Sequence, residues 1–312
     1  MNVRARRFAS LFIFLGAASA FMPSPVFGAG AWTDQTAAGS RTWTAITSSS
    51  DGTKLAATGG GLDIYTSTDS GAHWTDQTAA GSRTWTAITS SSDGTKLAAT
   101  AGGGDIYTSS DSGVHWTDHT ALGTWDWTAI TSSSDGTKLA AGIDDGGDIW
   151  TSADSGVTWV DQTAAGSRWW AAITSSSDGT KLAAATGGAY HSGDIYTSSD
   201  SGAHWTDQTA AGSRNWYALT SSSDGTKLAA VVYVGGDIYI SADSGVTWTD
   251  QTAAGSSWWA GITSSSDGTK LAAAVDGGDI WTYVYTPPPP PPGPGRRIYL
   301  HGNIRLHGVV HL

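Results

Sequence analysis

Four arginines recur at one loop position of a repeating sequence: Arg41, Arg83, Arg168 and Arg214. A guanidinium is a planar, permanently charged fork that meets carboxylates with paired hydrogen bonds. A second, glycine-rich loop set carries Asp144, Asp145, Tyr190, His191, Tyr233 and Asp276. Where the arginine pattern breaks, Asp126 lies in "LGTWDW", and Trp169 and Trp258 add aromatic surface beside the same loops. Gathered at one end of a fold, these groups form a polar binding cleft with flat apolar walls. Dispersed, the arginines only balance an acidic surface. Acid–base catalysis by Asp126, Asp144, Asp145 or Asp276 needs two carboxyl groups at a set separation with displaced pKa values. No local motif secures such a pair, so the sequence assigns no catalytic residue, no cofactor and no metal site.

A second constellation is more regular. Ser-x-Asp-x-Gly-x-x-Trp occurs as Ser67, Asp69, Gly71 and Trp74, then as Ser109, Asp111, Gly113 and Trp116. It returns as Ser152, Asp154, Gly156 and Trp159, as Ser198, Asp200, Gly202 and Trp205, and as Ser241, Asp243, Gly245 and Trp248. The carboxylate can accept bonds from nearby backbone N–H groups and pin a turn. Glycine permits a backbone angle that other residues resist, and the indole offers a large apolar face. Calcium is the chemical alternative, but one Asp per turn makes a poor oxygen cage. His73, His115 and His204 alternate with Thr158 and Thr247 at the same box position, which reads as surface decoration. His301, His307 and His311 have no folded support or fixed fourth ligand for a metal.

The motif resembles the Asp-box of sialidase-like and related β-propellers, photosystem II assembly-factor-like propellers among them. The resemblance covers Trp32 to Thr286 and implies a structural role for the boxes. In sialidases it further implies an arginine cluster for a substrate carboxylate, a tyrosine–glutamate pair and an acidic proton donor. This chain contains no Glu, and its arginines share one equivalent loop position. They therefore cannot be matched one by one to the sialidase cluster. The resemblance leaves an interaction scaffold, a glycan-binding propeller and a divergent sialidase-like glycoside hydrolase as the alternatives.

The elements that must position these groups are legible as repeats. Six units begin at Trp32, Trp74, Trp116, Trp159, Trp205 and Trp248. Each supplies four short strand candidates, as in "WTDQT", "TWTAITS", "KLAAT" and "DIYTS", separated by turn signals such as "SSDGTK" and "DSG". This periodicity predicts an all-β, six-bladed β-propeller over residues 30–286. The first unit lacks a preceding box and the last stops before one. Trp32–Thr36 is therefore expected to pair beside Asp279–Tyr283 and close the ring, which removes exposed edges. An open β-solenoid is the structural alternative. Trp43, Trp85, Trp127, Trp170, Trp216 and Trp259 read as a core stripe, with ligand platforms as the alternative. Lys54, Lys96, Lys138, Lys181, Lys227 and Lys270 read as solvated turn residues. Strand alternation places the "SSDGTK" and "DSGxxW" turns at one end, nearly invariant between units, and the arginine and glycine-rich links at the other, variable end.

Charge and termini bound the partners. All 27 acidic residues are Asp, and the stretch from Asp34 to Asp279 holds ten Lys and Arg against them. Such a surface repels nucleic acid and anionic membranes. Residues 1–29, with "MNVRARR" before a short apolar run, follow a secretory signal pattern with Ala20 or Ala29 at its end. Residues 287–295 are a Pro/Gly-rich linker and residues 296–312 a short basic tail with histidines. The chain has no Cys, so packing and hydrogen bonds must hold an exported domain. The expectation is a monomeric, secreted, periplasmic or cell-surface propeller without an integral membrane domain, meeting a protein or glycan at its variable end.

Overall fold

The computed structural model describes residues 35–189 and 191–285. Residues 1–29, Tyr190, the Pro/Gly-rich stretch, the basic tail and most of the expected closing strand, Trp32–Asp34, lie outside the described residues. The described chain is all-β, with short 3-10 turns as its only helical elements.

Unit 1 comprises β1 (Trp43–Ser48), β2 (Leu55–Leu62), β3 (Ile64–Ser67) and β4 (Thr75–Gln77). Unit 2 comprises β5 (Arg83–Ser90), β6 (Leu97–Gly104), β7 (Ile106–Ser109) and β8 (Thr117–Asp118). Unit 3 comprises β9 (Trp125–Ser132), β10 (Leu139–Ile143), β11 (Ile149–Ser152) and β12 (Val160–Asp161). Unit 4 has β13 (Trp170–Ser175), β14 (Leu182–Thr186), β15 (Ile195–Ser198) and β16 (Thr206–Asp207). Unit 5 has β17 (Trp216–Ser221), β18 (Leu228–Val232), β19 (Ile238–Ser241) and β20 (Thr249–Asp250). Unit 6 has β21 (Trp259–Ser264), β22 (Lys270–Val275) and β23 (Ile280–Val284).

Each unit is an antiparallel meander. In unit 1, Ile46 pairs with Ala57, Ala57 with Tyr65, and Tyr65 with Asp76. The same register recurs in unit 4 through Ile173, Ala184, Tyr196 and Asp207. Successive inner strands pack side by side, from β1 on β5 through to β17 on β21.

Small and large residues interlock between units. Trp85, Trp127, Trp170, Trp216 and Trp259 are fully buried. Trp216 packs against Ala183, Ala185 and Ile195 of the unit before it. A methyl group on Gly142 would sit 2.9 Å from Cβ of Trp170, so units 3 and 4 approach closely at that point. Removing one indole's 150–250 Å² from water is worth about 4–6 kcal/mol. Edge-on contacts with Tyr65, Tyr107, Tyr196 and Tyr239 at 5.2–5.5 Å fix the ring orientations in units 1, 2, 4 and 5. The core-stripe reading of these tryptophans therefore holds for five of the six; Trp43 is only half-buried.

A main-chain ladder joins the turns at the repeated end. The amide of Ser50 donates to the carbonyl of Ser92, Ser92 to Ser134, Ser134 to Ser177, Ser177 to Ser223 and Ser223 to Ser266, each at 2.7 Å. Among the described residues no corresponding bond returns from Ser266 to Ser50. Gln35 also does not bond Ile280, although Gln162, Gln208 and Gln251 donate to Ile149, Ile195 and Ile238 at 2.8 Å. Among the described residues β23 pairs with β22, and Ile280, Trp281 and Val284 on it are exposed.

Candidate functional site

The two ends of the meanders differ in which side chains recur from unit to unit. At the repeated end they bond to the fold itself. In the first box, Ser67 Oγ donates to Asp69 Oδ1 at 2.9 Å and accepts from the Gly71 amide at 2.9 Å. Asp69 also accepts the His73 amide at 2.9 Å, and the His73 ring lies 2.6 Å from its other oxygen. Ser70 takes a φ of 58° and donates to the Thr53 carbonyl, tying the box to the neighbouring turn. The boxes at Asp111, Asp154, Asp200 and Asp243 repeat this pattern, with Thr158 and Thr247 replacing histidine in two of them. Bonds from His73 and Ser67 hold the Asp69 carboxyl down at about 2. The indoles of Trp116, Trp159, Trp205 and Trp248 donate to their box glycine carbonyls at 2.8–2.9 Å. Trp74, Trp205 and Trp248 lean on the inner tryptophans at 6.2–6.4 Å.

The neighbouring Asp-Gly-Thr turns are built likewise. Asp51 accepts from Ser49 Oγ at 2.6 Å and from the Thr53 amide at 3.0 Å, and these bonds lower its carboxyl to about 2. The lysines that follow are not free solvated residues. A methyl group on Gly94 would meet Cβ of Lys54 at 2.8 Å, and the stems of Lys96, Lys138, Lys181 and Lys227 lie likewise across the glycine turn of the next unit, whereas Lys270 is exposed. Lys96 and Lys227 go on to donate to the carbonyls of Asp135 and Asp267 at 3.0 and 2.8 Å.

The arginines of the variable end are committed locally as well. Arg41, Arg83, Arg168 and Arg214 lie over Tyr65, Tyr107, Tyr196 and Tyr239, 4.4–4.6 Å from the ring centroids. Each Nε donates to the carbonyl of an alanine three residues back, at 3.0–3.2 Å. Beneath, Tyr65, Tyr107 and Tyr239 donate to Asp76, Asp118 and Asp250 at 2.6–2.9 Å. Burial, reinforced by these carboxylates, pushes the tyrosine hydroxyls up. Unit 3 breaks the stack: Trp125 stands for arginine and Trp150 for tyrosine, and Asp161 keeps its place without a hydroxyl donor. Burial, followed by the charge of Asp148, raises the Asp161 carboxyl.

The remaining sequence-selected groups fall into two sectors. The acidic sector belongs to unit 3. There the Asp144 amide donates to the Asp126 carbonyl at 2.9 Å, and Asp145, at φ 61°, donates its amide to Asp144 Oδ1 at 3.0 Å. The aromatic sector runs over units 4 to 6. Trp169 meets His191 edge-on with centroids 3.4 Å apart. Tyr217 and Tyr233 stack at 4.6 Å and 22°, and Tyr233 meets Trp258 of the next unit at 5.8 Å. Asp276 adjoins this platform, its amide donating to the Trp258 carbonyl at 2.7 Å. Tyr217 is the residue that sequence reasoning missed. Its signal was present: the position is Thr44, Thr86 and Thr128 in the first three units, where the hydroxyl donates to the next unit's tryptophan carbonyl.

Among the described residues no three His or Asp side chains are grouped to hold a metal ion, and no helix is long and apolar enough to cross a membrane. No family model matches the chain, and no curated protein does. Solved structures do share its fold. The GH74 enzyme of Niastella koreensis superposes with a TM-score of 0.59 at 17% identity, over 77% of this chain and 44% of that one. YCF48 from Cyanidioschyzon merolae gives 0.58 at 15% identity, over 78% and 83%. YCF48 bound to D1 peptide gives 0.59 at 17% identity, over 78% and 79%. The chain spans less than half of the GH74 enzyme and most of YCF48. These likenesses establish an all-β fold of the propeller-like kind.

Proposed function

We propose that this chain is an exported, non-catalytic interaction scaffold that holds a macromolecular partner on its variable end. The observation that carries the reading is the division of labour between the ends. Recurrent polar side chains at the repeated end are bonded into turns and neighbouring units, whereas Trp169, His191, Tyr217, Tyr233 and Trp258 cluster at the variable end, where the repeat does not require them. A propeller-like relative in fold solved with a bound peptide supports a scaffold role. Export rests on the basic, apolar and small-residue order of residues 1–29. Carbodiimide footprinting tests the scaffold. A bound partner should protect Asp126, Asp144, Asp145 and Asp276 and leave Asp51 and Asp93 labelled. Protection confined to the repeated end overturns the reading.

We infer also that six units complete the fold, with Trp32–Gln35 supplying the outer strand beside β23; Thr36, which the sequence placed in that strand, opens a 3-10 turn instead. "WTDQ" at Trp32–Gln35 is identical to the segment at Trp74–Gln77 that pairs with β3. That register sets Thr33 opposite Thr282. Because the chain has no Cys, the pair Thr33→Cys and Thr282→Cys reports on closure directly. An intramolecular disulfide on mild oxidation supports it. Disulfide-linked oligomers, or no bond, refute it.

A further inference from the structure

The aromatic sector has a composition that the fold alone does not explain. Its side chains follow one another across three units: Trp169 and His191, then Asn215, then Tyr217 and Tyr233, then Trp258. Polar contacts bridge the same path, with Ser192 Oγ donating to Asn215 Oδ1 at 2.9 Å across the boundary between units 4 and 5. The positions of Trp169, Asn215 and Trp258 are Thr42, Thr84 and Asp126 elsewhere, and that of Tyr233 is Gly60, Gly102 or Asp144. Nothing in the meander demands rings there. Trp258 is 51% exposed, a large cost in ordered apolar surface for a protein otherwise this polar.

Electrostatics restrict what such a row can take. The four arginines of this end lie over tyrosines, and the lysine stems cross turns at the opposite end. The surrounding field is that of a strongly acidic chain, which disfavours an anionic ligand. A cage for a bare cation needs rings around a void. Here Tyr217 and Tyr233 are stacked on each other, so they form a wall rather than a cage. A wall of rings beside exposed Asp276 suits a molecule with one flat face of C–H groups and a rim of hydroxyls. Pyranose units have that shape. The C–H face lies on the indole, and ring hydroxyls donate to the carboxylate.

We propose that the row across units 4 to 6 is a binding surface for a neutral polysaccharide, with Trp258 as the main stacking platform and Asp276 accepting from sugar hydroxyls. This rests on the reading of the variable end as the binding end, and narrows it to one ligand class. Successive sugars lie along the row toward Tyr233 and the Trp169–His191 pair, so affinity should rise with chain length.

Affinity gel electrophoresis tests it with the full exported chain and neutral polymers: β-1,4-glucan, β-1,4-mannan, xylan and α-1,4-glucan. At least one should retard the protein. Trp258→Ala should weaken that retardation at least tenfold, Trp258→Phe should restore most of it, and His73→Ala at the repeated end should leave it unchanged. An unchanged denaturant midpoint for Trp258→Ala shows that the loss is not unfolding. Retardation by none of the polymers, or retardation indifferent to Trp258→Ala, overturns the proposal. A parallel arm uses a peptide with the sequence of Pro287–Gly295, since polyproline segments also dock on aromatic rows. If only the peptide binds and Trp258→Ala abolishes it, the carbohydrate assignment fails while the variable end stands as the binding end. If the footprint of any bound probe falls on Asp51 and Asp93, both fail.

Discussion

The repeated end is built from side chains that recur in nearly every unit, whereas the variable end adds side chains that single units alone carry. At the repeated end, Asp, Ser, Thr and Lys are nearly invariant from unit to unit because each contacts its own turn or the next unit. At the variable end, the arginines still obey this rule, but the positions around the inner tryptophans do not. The lesson is that repetition within one chain marks what stacking needs. Departure from it marks where side chains are released from that duty. Trp170 and Trp258 show the contrast within one residue type, the first fully buried between units and the second about half-exposed.

Truncating each of these indoles should separate the two ends most strongly. Trp170→Ala should cost about 3–5 kcal/mol in denaturant unfolding, whereas Trp258→Ala should leave the midpoint nearly unmoved. Equal losses would mean that the aromatic row is structural after all. Acid gives the next largest effect. Bonds from serine and threonine hold Asp51, Asp93, Asp135, Asp178 and Asp267 to about 2, against an ordinary value of 3.8. A lowered folded pKa means that the stabilisation is complete above the ordinary value and is lost as pH falls through the folded one. Thermal midpoints followed by tryptophan emission should therefore drop between about pH 4 and pH 2, and a flat profile there would separate these turns from stability. The smallest expected effect lies in the arginine–tyrosine stacks. Trp125→Arg with Trp150→Tyr rebuilds in unit 3 the stack of the other units and gives Asp161 a hydroxyl donor. The double variant should gain about 0.5–1 kcal/mol, and the Asp161 carboxyl should titrate at lower pH by NMR. No gain would show that the stacks contribute little.

Much of this architecture was readable from the amino acids, and the reasons for the misreadings are specific. Strand and turn placement followed from "KLAAT", "DIYTS" and "SSDGTK", whose local preferences agree with the fold. The arginines suggested a shared cleft because sequence gives a side chain's chemistry but not its direction. What turns them onto tyrosine is the carbonyl of an alanine in the preceding 3-10 turn. A clue lay in the co-substitution of Trp125 with Trp150, and of Ser257 with Trp281, which pairs the arginine and tyrosine positions. The lysines appeared solvated because the contact that fixes them, on Gly94 and its equivalents, crosses to the following unit. Tyr217 carries no loop signal because it stands inside β17, one residue after Trp216.

The seryl ladder at the repeated end has one more implication. Each rung needs only the turn of the following unit, and nothing in its geometry refers to the total number. A genetic slip that adds or deletes one whole copy would leave every surviving rung intact. Array length is thus the property that this design leaves most open to change, while the phase of the repeat is the one it guards.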